Sequence, residues 1–264
     1  MKPAPFDYRA PSTVDEALAL LGDDAKVLAG GQSLVPIMNF RLARPGMLVD
    51  LNRVEELAYL RKRDGALHIG ALTRQATLER SELVARGWPL LRQAVRHVAH
   101  APIRTRGTVG GSCAHADPSA ELPAALTALD ARFHVRSRGG QRVVAAPEFF
   151  VSHLTSALRD DELLVEVEVP ALPAGARTGF AEHARTHGDW AIAGAAVVVA
   201  PGHAAIALLG AAPTPVRARE AEAALAAGAG VEEAARQAGS LVAGEWRAAL
   251  IAALVRDALT EAGA

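Results

Sequence analysis

Two glycine pairs flanked by hydroxyl-bearing residues are the part of this sequence best suited to binding an anion. The first lies in Ala29-Gly30-Gly31-Gln32-Ser33-Leu34, and the second lies about 80 residues later in Thr108-Val109-Gly110-Gly111-Ser112. Adjacent glycines permit positive φ and leave backbone N–H groups accessible, which suits a phosphate. One such pair is also ordinary in turns. Two pairs that close on one ligand from two sides therefore predict an anion site more strongly than either does alone.

Acidic residues behind the second pair indicate a ligand that carries hydroxyl groups as well as phosphate. Asp117 and Glu121 can accept hydrogen bonds from a sugar or polyol, whereas carboxylates beside a bare anion are unfavourable. A dinucleotide explains this mixture better than free phosphate does. Helix capping and surface charge are the alternative roles of both carboxylates, and the sequence leaves these alternatives open.

Other reactive side chains are scarce. Cys113 is the only cysteine, so this chain alone can hold neither an internal disulfide nor an iron–sulfur cluster. Cys113 can act as a nucleophile with His115 or fill a small apolar space. Only one residue separates the two, which favours the space-filling role. His97 and His100 lack acidic or sulfur partners nearby in the sequence, so no metal site is expected. A bound cofactor would have to supply the reactivity.

Composition excludes several classes of protein. The 264 residues are 50% hydrophobic and have a formal net charge of −1, which gives no general attraction to nucleic acid or to an anionic membrane. The longest apolar run, residues 191–200, is about half the length of a membrane span. The first eight residues do not resemble a secretory signal. We therefore expect a cytoplasmic protein with no membrane span.

A strand, a turn, a helix and a second strand are expected to position the first glycine pair. Residues 26–28 predict a strand before it, residues 35–42 a short helix after it, and residues 47–51 a second strand. Such a β-α-β unit favours parallel pairing. A capping box in residues 12–16 predicts one more short helix at the start.

The remaining pattern predicts two further units, with a boundary near residues 171–175. Strands are expected at 67–70, 131–135, 142–144 and 163–169, and helices at 73–83, 89–98 and 120–129. Alternation in the strand at 163–169 predicts that Glu166 and Glu168 form an exposed acidic face. A three-stranded antiparallel sheet is expected at 179–184, 191–200 and 204–209, followed by helices at 217–227, 231–238 and 245–261.

The glycine motifs closely resemble the two FAD pyrophosphate loops of the FAD-binding medium subunits of molybdenum hydroxylases. That family includes the carbon monoxide dehydrogenase medium subunit and the flavin domain of xanthine dehydrogenase. The second motif continues through Cys113-Ala114-His115-Ala116-Asp117-Pro118. Supporting matches follow in the family's order: Leu48-Val49-Asp50-Leu51, Ile69-Gly70-Ala71, Ile103-Arg104, Glu121-Leu122-Pro123 and His187-Gly188-Asp189-Trp190-Ala191.

The resemblance implies an α+β fold of the PCMH type, similar to vanillyl-alcohol oxidase. An N-terminal α/β subdomain (residues 1–57) and a second α+β subdomain (58–174) would bind FAD between them. A C-terminal domain (175–264) would hold a three-stranded antiparallel sheet with three helices. No cysteine-bearing insertion is present, which disfavours the branch that resembles benzoyl-CoA reductase.

The resemblance also implies the residues that bind FAD. These are Ala29, Gly30, Gly31, Gln32, Ser33, Leu34, Thr108, Gly110, Gly111, Ser112, His115, Asp117, Glu121, Leu164 and Trp190. The two loops would bind the pyrophosphate, Asp117 and Glu121 would make polar contacts, and Leu164 an apolar one. Trp190 would lie beside the isoalloxazine ring, with an ordinary core tryptophan as the alternative. Gln32 replaces a histidine or another polar residue of many relatives, and either can form hydrogen bonds.

The function implied is that of an FAD-containing electron-transfer subunit without catalytic side chains of its own. Electrons would come from [2Fe–2S] clusters in a small partner subunit, a molybdopterin-binding large subunit would oxidise the substrate, and the acceptor would be NAD⁺, quinone or O₂. A dimer of heterotrimers is the expected assembly, with no nucleic-acid partner. Two alternatives remain: a self-contained FAD-dependent oxidoreductase and a non-catalytic nucleotide-binding assembly protein.

Overall fold

The computed structural model describes all 264 residues, and its N-terminal unit is a small parallel sheet. Its strands and helices are β1 (Asp7–Arg9), α1 (Val14–Leu20), β2 (Ala25–Leu28), α2 (Leu34–Asn39) and β3 (Met47–Asp50). The strand order is β1-β3-β2, and both pairs are parallel, as the predicted β-α-β unit requires. The capping box is confirmed, because the Thr13 hydroxyl accepts from the Glu16 N–H at 3.2 Å and the Glu16 carboxylate accepts from the Ser12 N–H at 2.8 Å.

The second unit is an antiparallel five-stranded sheet covered on one face by helices. Its elements are β4 (Leu60–Arg63), β5 (Ala66–Gly70), α3 (Gln75–Arg80), α4 (Glu82–Gly87), α5 (Pro89–His97), α6 (Ala101–Arg106), α7 (Val109–His115), α8 (Glu121–Ala128), β6 (Arg132–Ser137), β7 (Gly140–Ala145), α9 (Ala146–Phe149), β8 (Phe150–Ser152), β9 (Thr155–Ser156) and β10 (Leu163–Val169). The sheet order is β4-β5-β10-β6-β7, and β8 and β9 form a separate hairpin. Two 3₁₀ turns, Leu51–Arg53 and Glu55–Leu57, lead into this unit from β3.

The C-terminal unit is an antiparallel sheet that is buried on both faces. Its elements are β11 (Arg177–His183), β12 (Ala193–Ala200), β13 (His203–Leu209), β14 (Val216–Arg217), α10 (Arg219–Ala226), α11 (Val231–Gly239) and α12 (Glu245–Glu261). Val198 lies in the hydrophobic core that the sheet shares with the second unit, whereas Val197 and Ile206 pack with α10 to α12. The two-residue strand β14 adds a fourth strand to the three that were predicted. No helix has both the length and the apolarity that a membrane crossing needs.

The predicted exposed acidic face of β10 is wrong. The Tyr59 hydroxyl donates to Glu166 Oε2 at 2.5 Å, and His68 Nδ1 lies 2.9 Å from Glu166 Oε1. Glu168 is covered in the same way by His134, whose Nε2 is 2.8 Å from Oε2. Burial raises the pKa of Glu166, but the hydrogen bonds from Tyr59 and His68 outweigh burial and hold that pKa below its ordinary value. The strand lies between β5 and β6, so cross-strand neighbours cover side chains that alternation alone would place in water.

The second glycine pair lies inside a helix and not in a turn. Gly110 and Gly111 occupy the first turn of α7, with Thr108 as its N-cap. A second difference is a break at Ser81, which divides the helix predicted over 73–83 into α3 and α4. The Ser81 hydroxyl accepts from the Val84 N–H at 3.3 Å and caps the second of these helices.

Candidate functional site

The first glycine segment (residues 29–34) leaves a row of backbone donors free. It connects β2 to α2, and Gly31 has φ +73°, a conformation that favours glycine. The Gln32 side-chain amide donates to the Gly30 carbonyl at 2.9 Å and closes the loop on itself. The backbone N–H groups of Gly30, Gly31, Gln32 and Ser33 have no acceptor within the protein. Four consecutive free donors with no side chain at two of the positions form a cradle suited to an anion.

The second glycine segment (residues 108–112) uses its backbone donors differently. The N–H groups of Val109 and Gly110 donate to the Thr73 and Ala71 carbonyls, at 3.0 and 2.8 Å. The Gly111 N–H donates to the Thr108 hydroxyl at 3.0 Å. These donors are therefore already satisfied inside the protein. The segment can still offer a ligand the free N–H of Thr108 and the hydroxyl of the half-buried Ser112. Its two glycines leave room for the ligand to approach the backbone.

Replacement of Thr108 tests its role as the N-cap of α7. We expect Thr108→Ala to lower the free energy of unfolding by about 1 kcal/mol, because the Gly111 N–H would lose its acceptor. Thr108→Ser keeps the hydroxyl and should stay close to the wild-type value. Urea unfolding of both variants measures the difference. Equal midpoints for the alanine variant and the wild type would contradict the role of the hydroxyl.

The structure brings the two glycine segments together, because the first segment packs on the residues that lead into the second. A Cβ atom added at Gly30 would lie 2.5 Å from the Arg106 carbonyl oxygen and 2.9 Å from Gly107 Cα. A Cβ atom added at Gly111 would lie 3.6 Å from Ala29 Cβ. Gly110 packs in turn on Ala71, whose Cβ would be 2.6 Å away from an added Cβ. The glycines are thus required for backbone packing as well as for access.

Asp117 and Glu121 lie just beyond the second segment in different environments. Asp117 Oδ1 accepts from the Ser119 N–H at 2.9 Å, and the residue is half-buried. Glu121 begins α8 and is 8% exposed, so it is not a surface charge. Burial raises the pKa of Glu121 to about 8, and the negative charge of Glu182 adds to that rise. The Glu182 carboxylate lies 3.3 Å from His97 Nδ1, and this hydrogen bond raises the pKa of His97.

The other predicted site residues differ in exposure. His115 ends α7 half-buried, and burial lowers its pKa so that the ring is neutral near pH 7. Leu164 is 5% exposed and packs in the main hydrophobic core. Trp190 is 74% exposed, so the alternative of a core tryptophan is wrong. Cys113 is fully buried, and burial raises the pKa of its thiol. The cysteine therefore fills apolar space, as predicted, and does not act as a nucleophile.

Two residues that the sequence analysis did not single out connect the glycine segments. Asn52 donates from Nδ2 to the Ala29 carbonyl at 2.9 Å. Arg74 donates from Nη2 to Asn52 Oδ1 at 2.6 Å and from Nη1 to the Arg106 carbonyl at 2.5 Å. The available signal was weak: Asn52 follows the carboxyl end of a parallel strand, where ligand-binding residues of open sheets collect.

The residues present fit a dinucleotide such as FAD. Free backbone donors in a side-chain-free cradle suit a pyrophosphate, and the half-buried Asp117 keeps one carboxylate oxygen for hydroxyl groups. The exposed indole of Trp190 is available to an aromatic ring. No cluster of histidine, cysteine or acidic residues in the chain is arranged to hold a metal ion.

Comparison with known proteins gives the family. Residues 4–172 match the model of the FAD binding domain in molybdopterin dehydrogenase. The 6-hydroxypseudooxynicotine dehydrogenase complex subunit alpha of Paenarthrobacter nicotinovorans is 49% identical over 84% of this chain and 78% of its own length. The carbon monoxide dehydrogenase medium chain of Hydrogenophaga pseudoflava is 41% identical over 82% of this chain and 78% of its own length.

Comparison with solved structures gives the same family. A structure of carbon monoxide dehydrogenase from Hydrogenophaga pseudoflava superposes with a TM-score of 0.94 at 39% identity, covering 100% of this chain and 99% of the other. Quinoline 2-oxidoreductase from Pseudomonas putida 86 gives a TM-score of 0.92 at 35% identity, with coverage of 100% and 99%. The match of sequence and of fold over nearly the whole chain extends well beyond the glycine motifs. This chain accordingly belongs to the family of FAD-binding subunits of molybdenum hydroxylases, which includes the carbon monoxide dehydrogenase medium chains.

Proposed function

We propose that this chain is the electron-transfer subunit that links the iron–sulfur clusters of a partner to an external acceptor such as NAD⁺, quinone or O₂. FAD, when bound, supplies the exchange between one-electron and two-electron transfer. The chain has a single, buried cysteine, so any cluster must belong to another subunit. Its relatives include a dehydrogenase complex subunit alpha and carbon monoxide dehydrogenase medium chains, names that support a place in a multi-subunit complex.

The observation that carries the proposal is the row of free N–H groups in the first glycine segment, packed against the second segment. In the proposed site these donors bind the pyrophosphate, with Gln32, Ser33 and Leu34 completing the loop. Thr108 and Ser112 add hydroxyl groups from the opposite side. Asp117, Glu121 and His115 form hydrogen bonds to hydroxyl groups of the cofactor. Further along the cofactor, Leu164 makes an apolar contact and Trp190 lies beside the isoalloxazine ring.

We further propose the organisation of the chain and of its complex. The N-terminal subdomain comprises residues 1–57, the second subdomain 58–174 and the C-terminal domain 175–264, a division supported by the three separate sheets. The partners are a molybdopterin-binding large subunit and a [2Fe–2S] small subunit, arranged as a dimer of heterotrimers in the cytoplasm.

Purification with and without the partner subunits tests this function. The isolated chain should be yellow, and dithionite should bleach its flavin absorption. The substrate of the complex should bleach it under anaerobic conditions only when the partner subunits are present, because this chain offers no substrate-oxidising group of its own. Oxidation of substrate by the isolated chain would favour the self-contained oxidoreductase instead. A colourless protein that takes up no added FAD would leave only the assembly protein.

A further inference from the structure

We infer that Asn52 and Arg74 are positioning residues that fix the distance between the two glycine segments and thereby control how tightly FAD is held. The two side chains and their acceptors are called here the Asn52–Arg74 bridge. The inference rests on the proposed FAD site. It concerns residues that lie outside both glycine motifs.

One end of the bridge fixes the start of the first glycine segment. The Asn52 side chain donates to the carbonyl of Ala29, the residue directly before Gly30. Asn52 is itself held in place, because its backbone N–H donates to Asp50 Oδ1 at 2.9 Å and Asp50 Oδ2 accepts from the Tyr8 hydroxyl at 2.5 Å. The side-chain amide of Asn52 therefore has one orientation, with its oxygen directed to Arg74.

The other end of the bridge fixes the backbone against which the first segment packs. Arg74 donates to the Arg106 carbonyl, the atom that an added Cβ at Gly30 would approach most closely. The backbone of Arg74 also pairs with that of Thr108, the N-cap of α7, in a single antiparallel β-pairing outside the sheets. One guanidinium thus joins the first segment, through Asn52, to the residues that lead into the second.

The charge of the bridge also suits an anionic ligand. Both acceptors of Arg74 are neutral oxygens, so its charge has no carboxylate hydrogen-bonded to it. Burial lowers the pKa of Arg74 and the positive charge of Arg106 lowers it further, whereas the negative charge of Asp50 raises it. The Asp50 carboxylate is thus one negative charge near two cations. A pyrophosphate bound at the adjacent free N–H groups would add negative charge and favour both guanidinium groups.

Titration of apo-protein with FAD, followed by flavin fluorescence, tests the bridge. We expect Arg74→Ala and Asn52→Ala each to weaken FAD binding by about tenfold or more, the change that follows from losing a hydrogen bond to a charged group. The double variant should lose less than the product of the two single effects, since both belong to one connected set of contacts. Arg74→Lys should lose most of the affinity while it keeps the charge, because an ammonium lacks the planar fork that reaches both acceptors.

The matched control is Arg86→Ala. Arg86 has a side chain that is 84% exposed and paired only with Glu82 on its own helix, so this variant should bind FAD as the wild type does. Urea unfolding of each apo-protein is measured in parallel. Arg74→Lys affinity equal to wild type, strictly multiplicative single effects, or lower unfolding midpoints without any change in FAD affinity would each overturn the inference. Failure of the wild-type apo-protein to bind FAD would instead overturn the proposed function.

Discussion

Gly30→Val is expected to abolish FAD retention. The new Cβ would lie 2.5 Å from the Arg106 carbonyl oxygen and 2.9 Å from Gly107 Cα, and both of these are backbone atoms that no rotamer change can remove. Valine adds two methyl groups beyond that Cβ, so the first glycine segment must move away from the residues that lead into the second. Overpacking of this kind costs about 1–3 kcal/mol in well-packed protein, and a displaced cradle loses several hydrogen bonds to the ligand at once. We expect FAD affinity to fall by about a hundredfold or more.

The control for this variant is Gly22→Val. An added Cβ at Gly22 meets nothing within 4 Å, and its φ is not in the left-handed region, so the substitution should fold and hold FAD normally. Flavin content after gel filtration and the affinity of the apo-protein for FAD are the two measurements. Wild-type affinity in Gly30→Val would show that the two segments do not approach each other as closely as the structure has them.

Periodicity and turn chemistry predicted most of the fold. The helix expected at 245–261 is α12, and the three predicted strands of the C-terminal sheet correspond to β11 to β13 within a few residues. These elements are long and strongly patterned, so local sequence dominates them. The sequence also predicted that the two glycine pairs converge, but the expectation that both offer backbone N–H groups to a phosphate is wrong for Val109 to Gly111, whose N–H groups donate within the protein.

The features that were missed depend on contacts between distant segments. Glycine is unfavourable in helices, yet α7 forms around Gly110 and Gly111, and Thr108 caps its first turn. Position 110 is glycine because Ala71 leaves no room there for a side chain. The Asn52–Arg74 bridge depends on the end of β3 lying opposite the start of α3, which no local pattern reveals. The face of β10 follows from its central place in the sheet, a matter of strand order.

Glu121 is expected to make the apo-protein less stable as the pH rises. Burial raises its pKa to about 8 from an ordinary value of 4.5, so between these values the folded state keeps a proton that the unfolded state has lost. The contribution of this group to stability is complete below pH 4.5 and is lost as the pH rises towards 8. Each pH unit in that window lowers the free energy of unfolding by about 1.4 kcal/mol. At neutral pH the free energy of unfolding is therefore about 3 kcal/mol lower than at pH 4.5.

Glu121→Gln removes the ionisable group and should remove this slope. Urea unfolding of the apo-proteins at about pH 5 and about pH 8 should therefore show a fall for the wild type that is several kcal/mol larger than for the variant. Glu55→Gln, at an exposed position, should keep the wild-type slope. Parallel pH profiles for Glu121→Gln and the wild type would show that this carboxyl ionises in the folded state as it does in water.

In the proposed FAD site, the protonation state of Glu121 also affects the binding of an anion. Asp117 and Glu121 follow the second glycine segment in the sequence, and two carboxylates at the proposed site would repel a pyrophosphate. A Glu121 carboxyl that is protonated near pH 7 carries no charge and can donate a hydrogen bond as well as accept one. We therefore expect FAD affinity of the wild type to fall as the pH rises above about 8, and expect Glu121→Gln to lack that fall. A fall of equal size in the variant would assign the pH dependence to a group other than Glu121.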